Sequence, residues 1–123
     1  MPMLKRPEVI NGDTRCIITG CGNIYLTIND VDLKPFEVFA EIGKAGGCAD
    51  AQTEAIGRLV SGWLRSGGDV KEIISQLKGI MCHHVVKDEL GNIVKPSCAD
   101  AVAKALEKHC NVEVPKFKEE DLK

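Results

Sequence analysis

Cysteine is the residue type in this chain with the most chemistry to offer. There are six in 123 residues: Cys16, Cys21, Cys48, Cys82, Cys98 and Cys110. In a reducing compartment such thiols are more often metal ligands or redox groups than structural disulfides. The opening Met1-Pro2-Met3-Leu4-Lys5-Arg6-Pro7 has no apolar stretch of the secretory kind, so a cytoplasmic setting is expected. No two cysteines have the Cys-x-x-Cys spacing of a zinc knuckle or a dithiol redox motif. Spacing alone therefore leaves metal ligands, small buried thiols and a redox pair all open.

The second candidate is Gly43-Lys44-Ala45-Gly46-Gly47-Cys48-Ala49-Asp50, a glycine-rich run leading from a strand pattern into a helical one. Amides at a helix start, with glycines permitting close approach, form an anion pocket. Lys44, Gly46 and Gly47 would supply it, with Arg58 and Arg65 further along the helix to meet phosphate oxygens. The lysine precedes the glycines and no Lys-Ser/Thr pair follows, so this is not a Walker motif. The same glycines equally suit a tight turn that needs positive φ.

Positioning these residues is the task of a short series of elements. Three stretches read as strands: residues 14–19, 23–29 and 36–42. Ile24, Leu26 and Ile28 share one face of the second. Phe36, Val38, Ala40 and Ile42 share one face of the third, opposite Glu37, Phe39 and Glu41. Short turn-like links suit an antiparallel meander. From Asp50 to Arg65 the period changes, with Ala51, Ala55, Ile56, Leu59, Val60, Trp63 and Leu64 at helical spacing and Trp63 expected in the core. Ser66-Gly67-Gly68 ends that helix. Asp69 is the expected N-cap of a second, which buries Val70, Ile73, Ile74 and Leu77. Residues 81–86 and 92–95 flank Asp88-Glu89-Leu90-Gly91 as a hairpin or an irregular loop. A last helix starts at Ser97 and runs to about His109, with Asp100 complementing its dipole. The expected architecture is α+β: a small antiparallel sheet of about three strands, with room for an extra hairpin, and three helices on one face. Residues 1–12 read as a flexible arm, 13–110 as the domain and 111–123 as a solvated tail.

Composition narrows the function. Apolar residues at 44% and charged residues at 28% are ordinary for a globular domain, and 4% aromatics leaves the core to aliphatic side chains. A net charge of −2 argues against a nucleic-acid polymer, whose binding requires many phosphates to be neutralised. No apolar run reaches the roughly 20 residues of a membrane span, so no membrane partner is expected. A homo-oligomer is left open.

Four stretches carry a likeness. They are Thr19-Gly20-Cys21-Gly22-Asn23, Gly43-Lys44-Ala45-Gly46-Gly47-Cys48, Leu77-Lys78-Gly79-Ile80-Met81-Cys82 and Ser97-Cys98-Ala99-Asp100-Ala101. With Gln52, Glu54-Ala55-Ile56-Gly57-Arg58-Leu59 and Leu64-Arg65-Ser66-Gly67 between them, the order and spacing resemble the TSCPD domain. That domain lies near the C-terminus of adenosylcobalamin-dependent (class II) ribonucleotide reductases. The likeness covers most of residues 15–107. The name-giving Thr-Ser-Cys-Pro-Asp reads Pro96-Ser97-Cys98-Ala99-Asp100 here.

The resemblance implies a role linked to ribonucleotide reduction and DNA biosynthesis. The chain has no room for the reductase barrel and lacks a Cys-x-x-Cys pair. The expectation is thus a non-catalytic accessory or regulatory module that binds the catalytic chain or a nucleotide, with no cobalamin on this chain alone. Were it part of an enzyme, that enzyme would be ribonucleoside-diphosphate reductase. A free-standing nucleotide-sequestering protein and a small zinc or iron–sulfur protein are the alternatives. Cys21, Cys48, Cys82 and Cys98 fall in the family-like stretches, each at a junction between elements. Four thiolates around one ion make a closed zinc site, and soft sulfur also suits an iron–sulfur cluster. His83 and His84 offer a substitute for one thiolate. Small buried thiols remain the competing explanation.

Overall fold

The computed structural model describes residues 3–43 and 47–118. Three strands come first: β1 (Asn11–Thr19), β2 (Gly22–Val31) and β3 (Lys34–Ile42), in an antiparallel meander of order β1-β2-β3. Helix α1 (Gly47–Arg65) and helix α2 (Val70–Leu77) follow, then a small hairpin of β4 (Val86–Lys87) and β5 (Ile93–Lys95), then α3 (Cys98–Cys110). This is the α+β arrangement expected, and the ambiguous segment before the last helix is a hairpin. Asp88 shapes its turn by accepting from the Leu90 and Asn92 N–H groups at 3.0 and 2.8 Å.

Alternation decides which face of the sheet is buried. Ile24, Leu26 and Ile28 of β2 and Val38, Ala40 and Ile42 of β3 enter one core with Val60, Leu64, Ile74, Val102 and Leu106. Glu41 and Phe39 point the other way. Asp32 and Leu33, both at positive φ, make the two-residue turn between β2 and β3. Helix α3 lies beneath β1 and β2, with α2 packed against α3. Asp69 caps α2 by accepting from Lys71 N–H at 2.9 Å, and Asn111 ends α3 in the left-handed region.

Helix α1 behaves differently from the apolar stripe expected of it. Its buried residues are Thr53, Gly57, Val60 and Leu64, whereas Ala51, Ala55, Leu59 and Trp63 are exposed. The helix lies along β3, where it meets the strand's backbone as well as its side chains. A Cβ on Gly57 would come within 3.2 Å of the Val38 carbonyl, so the absence of a side chain lets helix and strand approach. One turn later, Ser61 Oγ accepts from Val38 N–H at 2.9 Å and donates to Val38 C=O at 3.0 Å. Trp63 is accordingly not a core residue. It is 43% exposed, stands against Gly68 and donates its indole N–H to Asp69 C=O at 2.8 Å.

Both flanking segments make contacts. Leu4 N–H bonds Arg65 C=O at 2.8 Å, and Arg6 pairs with buried Glu37 at 2.9 Å, so this part of the N-terminal arm is fastened to α1 and β3. After α3, Val114 is buried and Phe117 N–H bonds Ser75 C=O at 3.0 Å. Lys78 joins this node, reaching Glu107 at 2.8 Å and Val114 C=O at 2.7 Å.

Candidate functional site

Three of the four family-like cysteines meet at one end of the sheet. Cys21 stands in the β1–β2 turn, Cys98 is the first residue of α3, and Cys82 lies in the loop after α2. The Cys21 thiol is pushed up to about 11 by burial first, then by Cys98 and Cys82 beside it. Thr19 Oγ1 is 3.9 Å from Cys98 Sγ, accepts from Cys21 N–H at 3.2 Å and donates to Gly22 C=O at 2.7 Å. One hydroxyl thus shapes the turn and touches the sulfur across from it.

The local sequence explains why these segments converge. Gly20 packs directly on the His84 backbone; a Cβ there would lie 1.5 Å from the His84 carbonyl oxygen. Its N–H bonds Pro96 C=O at 3.3 Å. Ser97 caps α3 by accepting from Asp100 N–H at 3.1 Å and donates to Ile80 C=O at 2.5 Å. Asp100, 1% exposed, accepts from Gly79 N–H at 2.9 Å and faces Lys104 Nζ at 3.1 Å. Ser97 and Asp100 together stitch the loop carrying Cys82 to the start of α3. The role expected for Asp100, complementing the helix dipole, is thereby joined by a tertiary one.

The fourth cysteine is less closely involved. Cys48 is the second residue of α1 and is exposed, and it is not among the neighbours that perturb Cys21. Strand register still puts the end of β3 beside the start of β2, since Ile42 pairs with Ile24 and Gly43 N–H bonds Asn23 C=O at 3.0 Å. The start of α1 and the thiol corner therefore share one end of the domain. His83 and His84 are exposed. Among the described residues no group of three or more His, Cys, Asp or Glu side chains is set to hold a metal ion as it stands. All six cysteines are free thiols. Cys16 is exposed on the outer sheet face, and burial followed by the Asp30 charge raises the Cys110 thiol.

The anion-binding residues separate into two groups. Lys44 and Gly46 lie outside the described residues. Gly47, at φ +69°, Arg58 and Arg65 line one cleft of about 760 Å³ between β3 and α1. Its arginines have partners: Arg6 pairs with Glu37, Arg58 lies 3.7 Å from Glu54, and Arg65 donates to Leu4 C=O at 2.8 Å and stands over the Phe36 ring. Four carboxylates, Glu37, Glu41, Asp50 and Glu54, outnumber the three arginines. Among the described residues, the lining of the cleft is therefore not cationic.

Sequence reasoning found the three converging cysteines but missed Thr19, Gly20 and Ser97 as the residues that bring them together. The signal was present, since all three stand within the two motifs that contain Cys21 and Cys98. The family model for the TSCPD domain matches residues 2–110. The chain belongs to the TSCPD domain family. The match extends on the N-terminal side past the stretch that carried the likeness, into the arm that holds Arg6. This family is associated with ribonucleotide reductases. No curated protein matches the chain, and no solved structure does. Among the described residues, no helix of this TSCPD domain is long and apolar enough to cross a membrane.

Proposed function

We propose that this TSCPD domain is a non-catalytic accessory module of ribonucleotide reduction that acts by binding the large catalytic chain. The observation that carries the reading is the family match over residues 2–110, nearly the whole chain. It is supported by how the motif residues are used: Thr19, Gly20, Ser97 and Asp100 are engaged in holding segments together. It is supported also by an outward stripe on α1, where Leu59 is 74% exposed with Trp63 one turn on. Exposed apolar residues at helical spacing suit docking on a larger protein. The test is affinity capture with the tagged protein, with the reductase catalytic chain identified by mass spectrometry. Capture that Leu59→Glu abolishes, with the circular dichroism spectrum unchanged, supports the reading. Failure to retain the reductase overturns it.

A second reading concerns the thiols, and the crowding of Cys82 and Cys98 around Cys21 favours it. Bound zinc would be held by these three sulfurs, with Cys48 or His84 as the fourth ligand, and would cross-link the β1–β2 turn, the loop after α2 and the start of α3. A metal reverses the local logic, because it stabilises the thiolates that burial disfavours. Elemental analysis of the purified protein tests this: one zinc or iron per chain, lost in Cys21→Ser and Cys98→Ser, is the supporting result. A nucleotide is the alternative ligand of the module. The cleft holding Gly47, Arg58 and Arg65 suits its uncharged base and ribose better than its phosphates, given the surplus of carboxylates.

A further inference from the structure

The two edges of the sheet differ. At β3 the edge is closed: Ser61 takes both outward backbone groups of Val38, and Asp50 accepts from Ile42 N–H at 3.4 Å. That arrangement also fixes the direction of every backbone group in the meander. Val38 faces α1, and Gly43 N–H bonds Asn23 C=O, so Asn23, Tyr25, Thr27 and Asn29 turn their backbone toward β3. Ile24, Leu26 and Ile28 then turn toward β1, where their partners are Ile17, Arg15 and Asp13. The remaining residues, Thr14, Cys16 and Ile18, direct N–H and C=O away from the sheet. Among the described residues nothing bonds to those groups.

An unpaired edge of this kind is a template for another strand. The charges of β1 select which strand. Asp13 and Arg15 share one face two positions apart, with opposite signs. An arbitrary partner strand would leave both unmatched, which discourages casual pairing. A second β1 laid antiparallel, with the two-fold axis through Thr14, puts each Asp13 opposite the other copy's Arg15. Those are non-hydrogen-bonded positions, where side chains lie closest. Two further observations favour this register. Arg15 Nε is buried and has no hydrogen-bond partner, so the monomer leaves it unsatisfied. Asp13 is 71% exposed at its side chain and lies 3.9 Å from His109 Nδ1, beyond hydrogen-bond reach. The outer face beside this edge carries Ile18, Tyr25 and Phe39, all exposed.

We propose that the chain forms a two-fold dimer through β1, uniting two three-stranded sheets into one antiparallel sheet of six strands. The partner is a second copy because a second copy laid antiparallel presents Asp13 and Arg15 in reciprocal order. The experiment is analytical ultracentrifugation of the full chain under reducing conditions, so that no disulfide through Cys16 contributes. The wild type sediments as a dimer at micromolar concentration. Thr14→Pro removes an N–H that points away from β2, so the β1–β2 ladder survives while pairing between copies is blocked. It sediments as a monomer with a native circular dichroism spectrum. Arg15→Asp weakens the dimer at least about tenfold through like charges across the axis, and adding Asp13→Arg restores it. A monomeric wild type overturns the proposal. So does a dimer that persists in Thr14→Pro, or a charge exchange that fails to restore association.

Discussion

Replacing Asp100 tests whether the motif acidic residue is structural. Its carboxylate is 1% exposed and accepts from Gly79 N–H at 2.9 Å, with Lys104 Nζ at 3.1 Å. A hydrogen bond to a charged group contributes about 1.5–3 kcal/mol, and truncating it leaves a part-buried N–H without its partner. Lys104 is itself about one-third exposed, so its pairing adds under about 1 kcal/mol. Asp100→Ala should therefore cost about 3 kcal/mol. Asp100→Asn keeps an acceptor for Gly79 and forfeits the charge, costing about 1 kcal/mol. For a domain of 123 residues these correspond to falls in Tm of roughly 12 °C and 4 °C. Thermal unfolding followed by circular dichroism, with urea midpoints as a second measure, reads both. If Asp100→Ala unfolds within about 0.5 kcal/mol of wild type, the carboxylate does not hold Gly79 in solution and the reasoning fails.

Ser97→Ala removes an N-cap and the donor to Ile80 C=O together, and urea denaturation should show a loss of about 2 kcal/mol. Gly20→Ala sets a methyl against the His84 backbone; a loss of 3 kcal/mol or more, on the order of a severe core clash, should appear as poor recovery of folded protein. In the metal-free protein, a Cys21 thiol at about 11 against an ordinary 9.0 holds about a hundredfold less thiolate at pH 8, so mass-spectrometric mapping of iodoacetamide adducts should find Cys21 modified far more slowly than exposed Cys16. The same shift has a signed effect on stability. The folded chain keeps a proton that the unfolded chain releases, so the contribution is complete below pH 9 and is lost as pH rises toward about 11, which urea midpoints across that window would register. Ala99→Pro, which restores the family's usual residue in the first turn of α3, should stay within about 1 kcal/mol of wild type in the same assay.

How far the sequence reached depended on which physical signal each element left in it. The faces of β2 and β3 were legible because alternation of Ile24, Leu26 and Ile28, and of Phe36 through Ile42, has only one burial solution. The α2 and α3 starts were legible because Asp69 and Ser97 are capping residues at the right offset. The orientation of α1 was legible only in part, at Ile56, Val60 and Leu64, because apolar periodicity assumes that a helix buries all its large side chains. Against a strand edge the requirement is reversed. Close approach to backbone calls for Gly57, and satisfying Val38 calls for the hydroxyl of Ser61, so Val60 and Leu64 of the apolar stripe go in while Ala51, Ala55, Leu59 and Trp63 stay outside. Among the site residues, Cys21, Cys82 and Cys98 were found through motif order. Their meeting depends on contacts between distant segments, such as Gly20 with His84 and Pro96, which no local pattern encodes.

The departures of this chain from the family signature can be understood on the same footing. At the first position the signature threonine is Pro96, whose structural use is its carbonyl oxygen, the acceptor for Gly20 N–H. Any residue supplies that oxygen. At the fourth position the signature proline is Ala99, in the first turn of α3, where an N–H has no intrahelical carbonyl to bond and its loss costs little. The three retained positions are those whose side chains act. Ser97 caps the helix and ties Ile80, Asp100 holds Gly79, and Cys98 stands beside Thr19 and Cys21. Serine and aspartate are occupied in fixing backbone, and the hydroxyl of Thr19 in shaping the opposing turn. The retained side chain with no backbone to hold is the sulfur of Cys98, which stands beside Cys21 and, with burial, keeps that thiol protonated in the metal-free protein.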